Sequence, residues 1–229
     1  MRIIRNERRL KTLGSVGRTV PWLAIATLFA GLVISFIRPQ WVLAMLASVG
    51  LGLILSLVGG YFSERYAGPL AHHEALAKAL KGLDDRHLLA QYILPAAHVL
   101  VDPGGCTVFV VKSQPGSIGY ADGRWNHRYK GKFFRQLAGQ ESLGAPDTEA
   151  GRQMARLCAW LERRLPGAQV PVQGAIVFVH PQASLEAEAS PVPALTSKKL
   201  KAWLRGPGSR KPLPPEDYRR LVAAVEGEG

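Results

Sequence analysis

Ala97-His98-Val99-Leu100-Val101-Asp102-Pro103-Gly104-Gly105-Cys106-Thr107-Val108-Phe109-Val110-Val111-Lys112 reads as a strand, a tight turn and a second strand ending on a lysine. Both apolar runs are rich in β-branched residues, so the spacing predicts an antiparallel hairpin with strands at 97–101 and 106–112. Upstream, 87–94 is a third apolar run closed by Pro95; downstream, 117–120 and 124–129 flank Ala121-Asp122-Gly123 and predict a second hairpin. Leu70, Glu74, Leu76, Ala77 and Leu80 recur at helical spacing before Gly82, which predicts a helix over 68–81. Met154, Leu157, Cys158, Leu161 and Leu165 do the same between Asp147 and Pro166-Gly167. Residues 172–179 predict a buried strand and 191–195 a short edge strand. A basic helix over 196–205, a flexible linker over 206–212 and a last helix over 214–225 complete the chain. Strands that precede and alternate with helices define an α/β (α+β) domain, a mixed sheet flanked by helices.

Two runs near the N-terminus, 20–37 and 41–62, carry no charged residue. At about 1.5 Å per helical residue they reach roughly 27 and 33 Å, which matches a hydrocarbon core of about 30 Å. Only Arg38-Pro39-Gln40 separates them, so they read as a two-helix transmembrane hairpin. Arg2, Arg5, Arg8, Arg9, Lys11 and Arg18 precede the first span, against one arginine in the turn. That asymmetry predicts a multi-pass protein of the inner (plasma) membrane with its N-terminus and soluble domain cytoplasmic. A second span follows at once and no small-residue cleavage site closes the first, which argues against a signal peptide. Ala44, Ser48, Gly52, Ser56 and Gly60 in one span, with Thr27, Gly31 and Ser35 in the other, form small-residue stripes. They are expected to pack the hairpin together, with homo-oligomerisation as the alternative. No charge interrupts either span, which leaves transport or proton relay without a carrier. The organisation expected is a basic arm at 1–18, the hairpin at 19–62, a globular domain at 63–195 and a basic helical tail at 196–229.

The net charge of +12 favours anionic partners, and the bilayer accounts for the arginines beside the first span. Cys106 and Cys158 fall in a strand and an amphipathic helix and read as small buried hydrophobes. His72-His73-Glu74 has metal-ligand residue types, but adjacent histidines point about 100° apart on a helix, so a solvated helix face is expected and no metal site. Pro103-Gly104-Gly105 lacks the Lys-Ser/Thr of a phosphate loop. Arg124, Trp125, His127, Arg128, Lys130 and Lys132 interleave cation and aromatic, a pattern that grips phosphate and stacks bases; a charge-protected hairpin edge has the same composition.

Taken in order, a helix bearing Glu74, the His98-Val99 strand, the Pro103-Gly104-Gly105 turn, a strand ending at Lys112, Gly116-x-Ile118, Trp125 and a later helix bearing Gln153 form a series. The series resembles the NERD domain, a nuclease-related domain of the restriction-endonuclease-like PD-(D/E)xK superfamily. The resemblance covers residues 69–179 and implies a restriction-endonuclease-like fold. It also implies a site in which two strand carboxylates hold Mg²⁺ while the lysine steadies the nucleophile or the developing phosphate charge. Two positions depart from the pattern, with Ala97 in place of the Asp before His and Val110 in place of the acid two residues before Lys112.

Alanine and valine offer no ligand atom, and strand parity limits replacement. Val108, Val110 and Lys112 share a face, whereas Asp102 differs in parity from Ala97 and lies about 16 Å along an extended strand. The reading is therefore a degenerate, non-catalytic NERD-like module that binds nucleic acid or protein. Glu74, Lys112 and Gln153 are its relic site residues, with Lys112 expected to pair with Glu74, reach water or meet an anion. Arg124, Trp125, Arg128, Lys130 and Lys132 are its nucleic-acid candidates. One alternative is a nuclease that holds Mg²⁺ through displaced acids, Glu74, Asp84, Asp85 or Asp122. Another is a membrane-tethered scaffold without nucleic-acid contact.

Overall fold

The computed structural model describes residues 1–68, 70–129 and 141–229. They fall into two compact bodies, residues 1–9, 72–128 and 143–229 in one and residues 10–71 and 129–142 in the other. The first is a mixed α/β body, and the second contains two long apolar helices.

Among the described residues there are nine strands: β1 (Arg2–Arg5), β2 (Leu88–Gln91), β3 (His98–Asp102), β4 (Gly105–Lys112), β5 (Gly116–Ala121), β6 (Arg124–Arg128), β7 (Val172–Phe178), β8 (Ala183–Glu186) and β9 (Ala194–Thr196). Six form a sheet in the order β1-β2-β3-β4-β7-β9, and three form a smaller sheet in the order β6-β5-β8. In the large sheet only β3 runs against the others. The β3–β4 turn is set by backbone chemistry. Gly105 has φ +119°, and a Cβ there would lie 2.4 Å from the Pro171 carbonyl oxygen, so glycine is required.

Six α-helices accompany the strands among the described residues: α1 (Glu7–Ile37), α2 (Val42–Phe62), α3 (His72–Leu80), α4 (Pro146–Arg164), α5 (Leu200–Arg205) and α6 (Pro215–Glu226). Strand parity divides the core. Leu88, Ala90, Val99, Val101, Cys106 and Val108 face Leu157, Trp160 and Leu161 of α4 and Leu221 and Val225 of α6. Leu89, Leu100, Phe109, Val111, Ala175 and Val177 face Leu76 and Leu80 of α3 and Leu200 of α5. Burying each such Leu, Val or Phe side chain contributes about 1.5–3 kcal/mol. The small sheet lays Ile118, with Trp125 and Leu185, over Val110, Ile176 and Phe178.

In the second body α1 and α2 are long and apolar enough to cross a membrane. Their small residues face each other. A Cβ on Gly31 would strike Ser48, one on Gly52 would lie 2.6 Å from Leu28, one on Gly59 2.9 Å from Pro21, and one on Gly17 2.8 Å from the Phe62 carbonyl. Past α2 the chain makes one π-helical turn, Ser63–Ala67, where Arg65 holds Glu141 through two hydrogen bonds of 2.8 and 3.1 Å.

Several elements differ from expectation. Residues 2–5, expected within a free basic arm, pair with β2 as a parallel edge strand, and the Met1 amine donates to the Leu83 carbonyl. The 196–229 segment buries Leu200 on the α3 face of the sheet and Leu221 and Val225 on the α4 face, all at 0% exposure. The expected linker at 206–212 is anchored by Arg210, which bonds the Cys106 carbonyl, Asp102 and the Thr107 hydroxyl. β8 has no counterpart in the sequence reading.

Candidate functional site

Gln91 pairs with His98 and Lys112 with Phe178, so the C-terminal ends of β2, β4 and β7 and the start of β3 form one end of the large sheet. His72, His73, Gln91, His98, Lys112, Ser113, Gln114 and Gln153 are all buried, and they come from this end or from the helices that cover it. Crevices at the carboxyl ends of strands are where open α/β sheets bind ligands.

On the α4 face, Lys112 Nζ lies 3.0 Å from Glu149 Oε2, with the lysine side chain 4% exposed and the glutamate 26%. Glu149 Oε1 accepts a hydrogen bond from Gln153 Nε2 at 3.2 Å, and Gln153 Oε1 accepts the Ala97 N–H at 3.1 Å. The series from the Ala97 amide through Gln153 and Glu149 thus reaches Lys112. Val110 is 1% exposed in an apolar cluster with Ile118, Leu143, Ala150, Ile176 and Phe178.

Of the outcomes expected for Lys112, the pair with Glu74 gives way to one with Glu149. Lys112 shares the strand face of Val108 and Val110, which α4 covers, whereas Glu74 belongs to α3 on the opposite face and is 72% exposed. Glu149, which the sequence reading missed, takes its place; the available signal was its i,i+4 spacing from Gln153 on a helix with acids in its first turn.

On the α3 face the solvated histidine pair is also corrected. His72 and His73 are 4% and 7% exposed, because the first turn of α3 packs on the end of β2, where Gln91 Nε2 donates to the His73 carbonyl at 2.8 Å. Tyr92 packs edge-on against His73 and His98, with ring centroids 6.3 and 4.9 Å away, and Arg9 lies over its ring. Tyr92 has φ +61°, a left-handed conformation that a bulky side chain adopts only when its surroundings enforce it.

The displaced acids lie elsewhere. Asp84 and Asp85 precede β2, at the end of the sheet opposite Lys112. Asp84 bonds Arg86 and His87, and the Arg86 guanidinium holds its carboxyl down at about 2. Asp85 meets the Met1 amine, and Asp122 turns β5 into β6 at φ +51°. Asp102 belongs to the Arg210 clasp. Among the described residues, no group of three or more His, Cys, Asp or Glu is arranged to hold a metal ion.

The nucleic-acid candidates separate by strand parity. Arg124, Asn126 and Arg128 are exposed on one face of β6; Trp125 and His127 take the other. Trp125 Nε1 donates to Asp147 and its ring packs against Tyr120 and Phe178, while the His127 ring bonds the Pro115 carbonyl. Lys130 and Lys132 lie outside the described residues. Comparison with known protein families, characterised proteins and solved structures finds no match for the chain.

Proposed function

We propose that the chain is a membrane-anchored, NERD-like binding module of restriction-endonuclease-like ancestry, whose nuclease centre has been replaced by a structural ion pair. The element order supports the ancestry, with α3, three successive strands β2, β3 and β4, then α4, and β7 parallel to β4. The observation that carries the loss of catalysis is the Lys112–Glu149–Gln153 series. Glu149 already serves the lysine and Gln153, and an apolar cluster occupies the position where a second strand acid would project. Efficient Mg²⁺ chemistry needs oxygen ligands with room for retained water, which this packing opposes.

Chain connectivity supports the anchoring. β1 precedes α1 and β2 follows α2, yet the two strands pair over Arg2↔Leu88 to Arg5↔Gln91. Helices that cross a bilayer between paired strands must do so an even number of times. Nucleic acid is the partner favoured by the excess of cations and by exposed Arg124 and Arg128.

The test is the full chain in neutral detergent with Mg²⁺ or Mn²⁺ and single- and double-stranded DNA and RNA. Binding without cleavage is expected. Cleavage that disappears in Lys112→Ala or Glu74→Ala would sink the proposal.

A further inference from the structure

The fold brings together two basic segments that are about 120 positions apart in the chain. α3 carries Lys78 and is followed by Lys81, and α5 carries Lys201 and Arg205 and is preceded by Lys198 and Lys199. Both helices pack on one face of the large sheet through Leu76, Leu80, Leu200 and Trp203, and Lys201 Nζ donates to the Lys81 carbonyl at 3.0 Å. Lys78, Lys81, Lys198, Lys199 and Arg205 are exposed. The nearby acids do not cancel them. Glu74 is the only acid on either helix, while Asp84 is taken by Arg86 and His87, and Asp85 by the Met1 amine.

The opposite face is different. On α4 and α6, Arg152, Arg156, Arg163, Arg219 and Arg220 are interspersed with Glu149, Glu162, Glu216, Asp217 and Glu226, so charge alternates in sign. A predominantly cationic surface on one side and a mixed one on the other make an electrostatic footprint with a direction. Beside Lys78 and Lys81, a hollow of about 400 Å³ is walled by Met1, Ile3, Ala77 and Leu83, aliphatic groups that give a base nothing to stack on. Such a lining suits contact with phosphate over contact with base edges.

We infer that the α3–α5 face is where the module docks the phosphate backbone of a nucleic acid, away from the relic centre. The inference rests on reading the domain as a nucleic-acid-binding module and names the surface that binds. Five lysine and arginine contacts released by salt give a steep dependence of affinity on ionic strength, about 0.7 in log–log slope per single-strand phosphate.

The experiment uses the full chain in neutral detergent and a fluorescent single-stranded oligonucleotide, with anisotropy followed through a salt series. The variant Lys78→Gln/Lys81→Gln/Lys198→Gln/Lys199→Gln/Arg205→Gln is expected to lose affinity at least about tenfold at low salt and to flatten the slope by about 3.5. All five side chains are exposed, so an unchanged melting temperature should accompany the loss. The charge-matched variant Arg152→Gln/Arg156→Gln/Arg163→Gln/Arg219→Gln/Arg220→Gln should bind nearly as the wild type does. Equal losses in the two variants would overturn the inference and leave the binding reading in place. A wild-type chain that ignores the oligonucleotide at low salt, or binds only polyglutamate, would remove both.

Discussion

Lys112 ends a strand whose neighbours on the same face are Val108 and Val110, and Glu149 is its ion-pair partner there at 3.0 Å. Removing one partner of such a pair strands the other charge. Glu149→Ala is therefore expected to destabilise the domain by about 3 kcal/mol, the lower end of the range for buried pairs because Glu149 keeps a quarter of its surface in water. Lys112→Met combined with Glu149→Gln should recover most of the loss, as thermal melts of the two variants would show. A merely solvated lysine would leave Glu149→Ala unchanged. At Cys106, burial pushes the thiol up to about 12, against a smaller opposing pull from Arg210. Alkylation at neutral pH, followed by peptide mass spectrometry, should leave Cys106 unmodified until denaturant is added. That Val108, Val110 and Lys112 share a face was legible because strand parity is local. The partner of Lys112 was not, because it depends on which helix covers which face of the sheet.

The hairpin strands β3 and β4, the helix α4 and the buried strand β7 carry enough periodic apolar residues to be read directly from sequence. β1 does not. Ile3-Ile4 between arginines is too short a run to separate from a basic arm, and its pairing with β2 joins residues more than eighty positions apart. β8, ASLE, has only one large apolar residue and gains its place by pairing with β5. The C-terminal helices carry their basic residues on the solvent side, which hid Leu200, Leu221 and Val225 as core residues. In α1 and α2 the stripe residues Gly31 and Ser48 meet and Gly52 lies against Leu28, whereas the close contacts at Gly17 and Gly59 fall outside the stripes read from sequence. Gly31→Cys with Ser48→Cys should therefore form a disulfide within one chain under mild oxidation. Non-reducing gels would show a faster monomer band, and a dimer band in its place would assign the stripe to association between chains.

Over the whole molecule, the proposed anchoring and the sheet constrain each other. The chain enters the sheet as β1, leaves it as α1, and returns after α2 to supply β2, the neighbour of β1. If α1 and α2 span a bilayer, Arg38-Pro39-Gln40 is exposed on the side opposite the domain, because paired strands cannot be in different compartments. The proposed orientation, with that domain cytoplasmic, rests on the arginines before the first span and Lys11 outnumbering Arg38 alone. A membrane-impermeant thiol reagent applied to intact cells should therefore label Arg38→Cys, with Asp122→Cys labelled only after lysis. Cys158→Ser removes the half-buried native thiol, and Cys106 is buried. Equal protection of both positions in intact cells would mean that the apolar helices do not cross the bilayer. Labelling of Asp122→Cys from outside would invert the orientation and place the cationic face beyond the reach of intracellular nucleic acid.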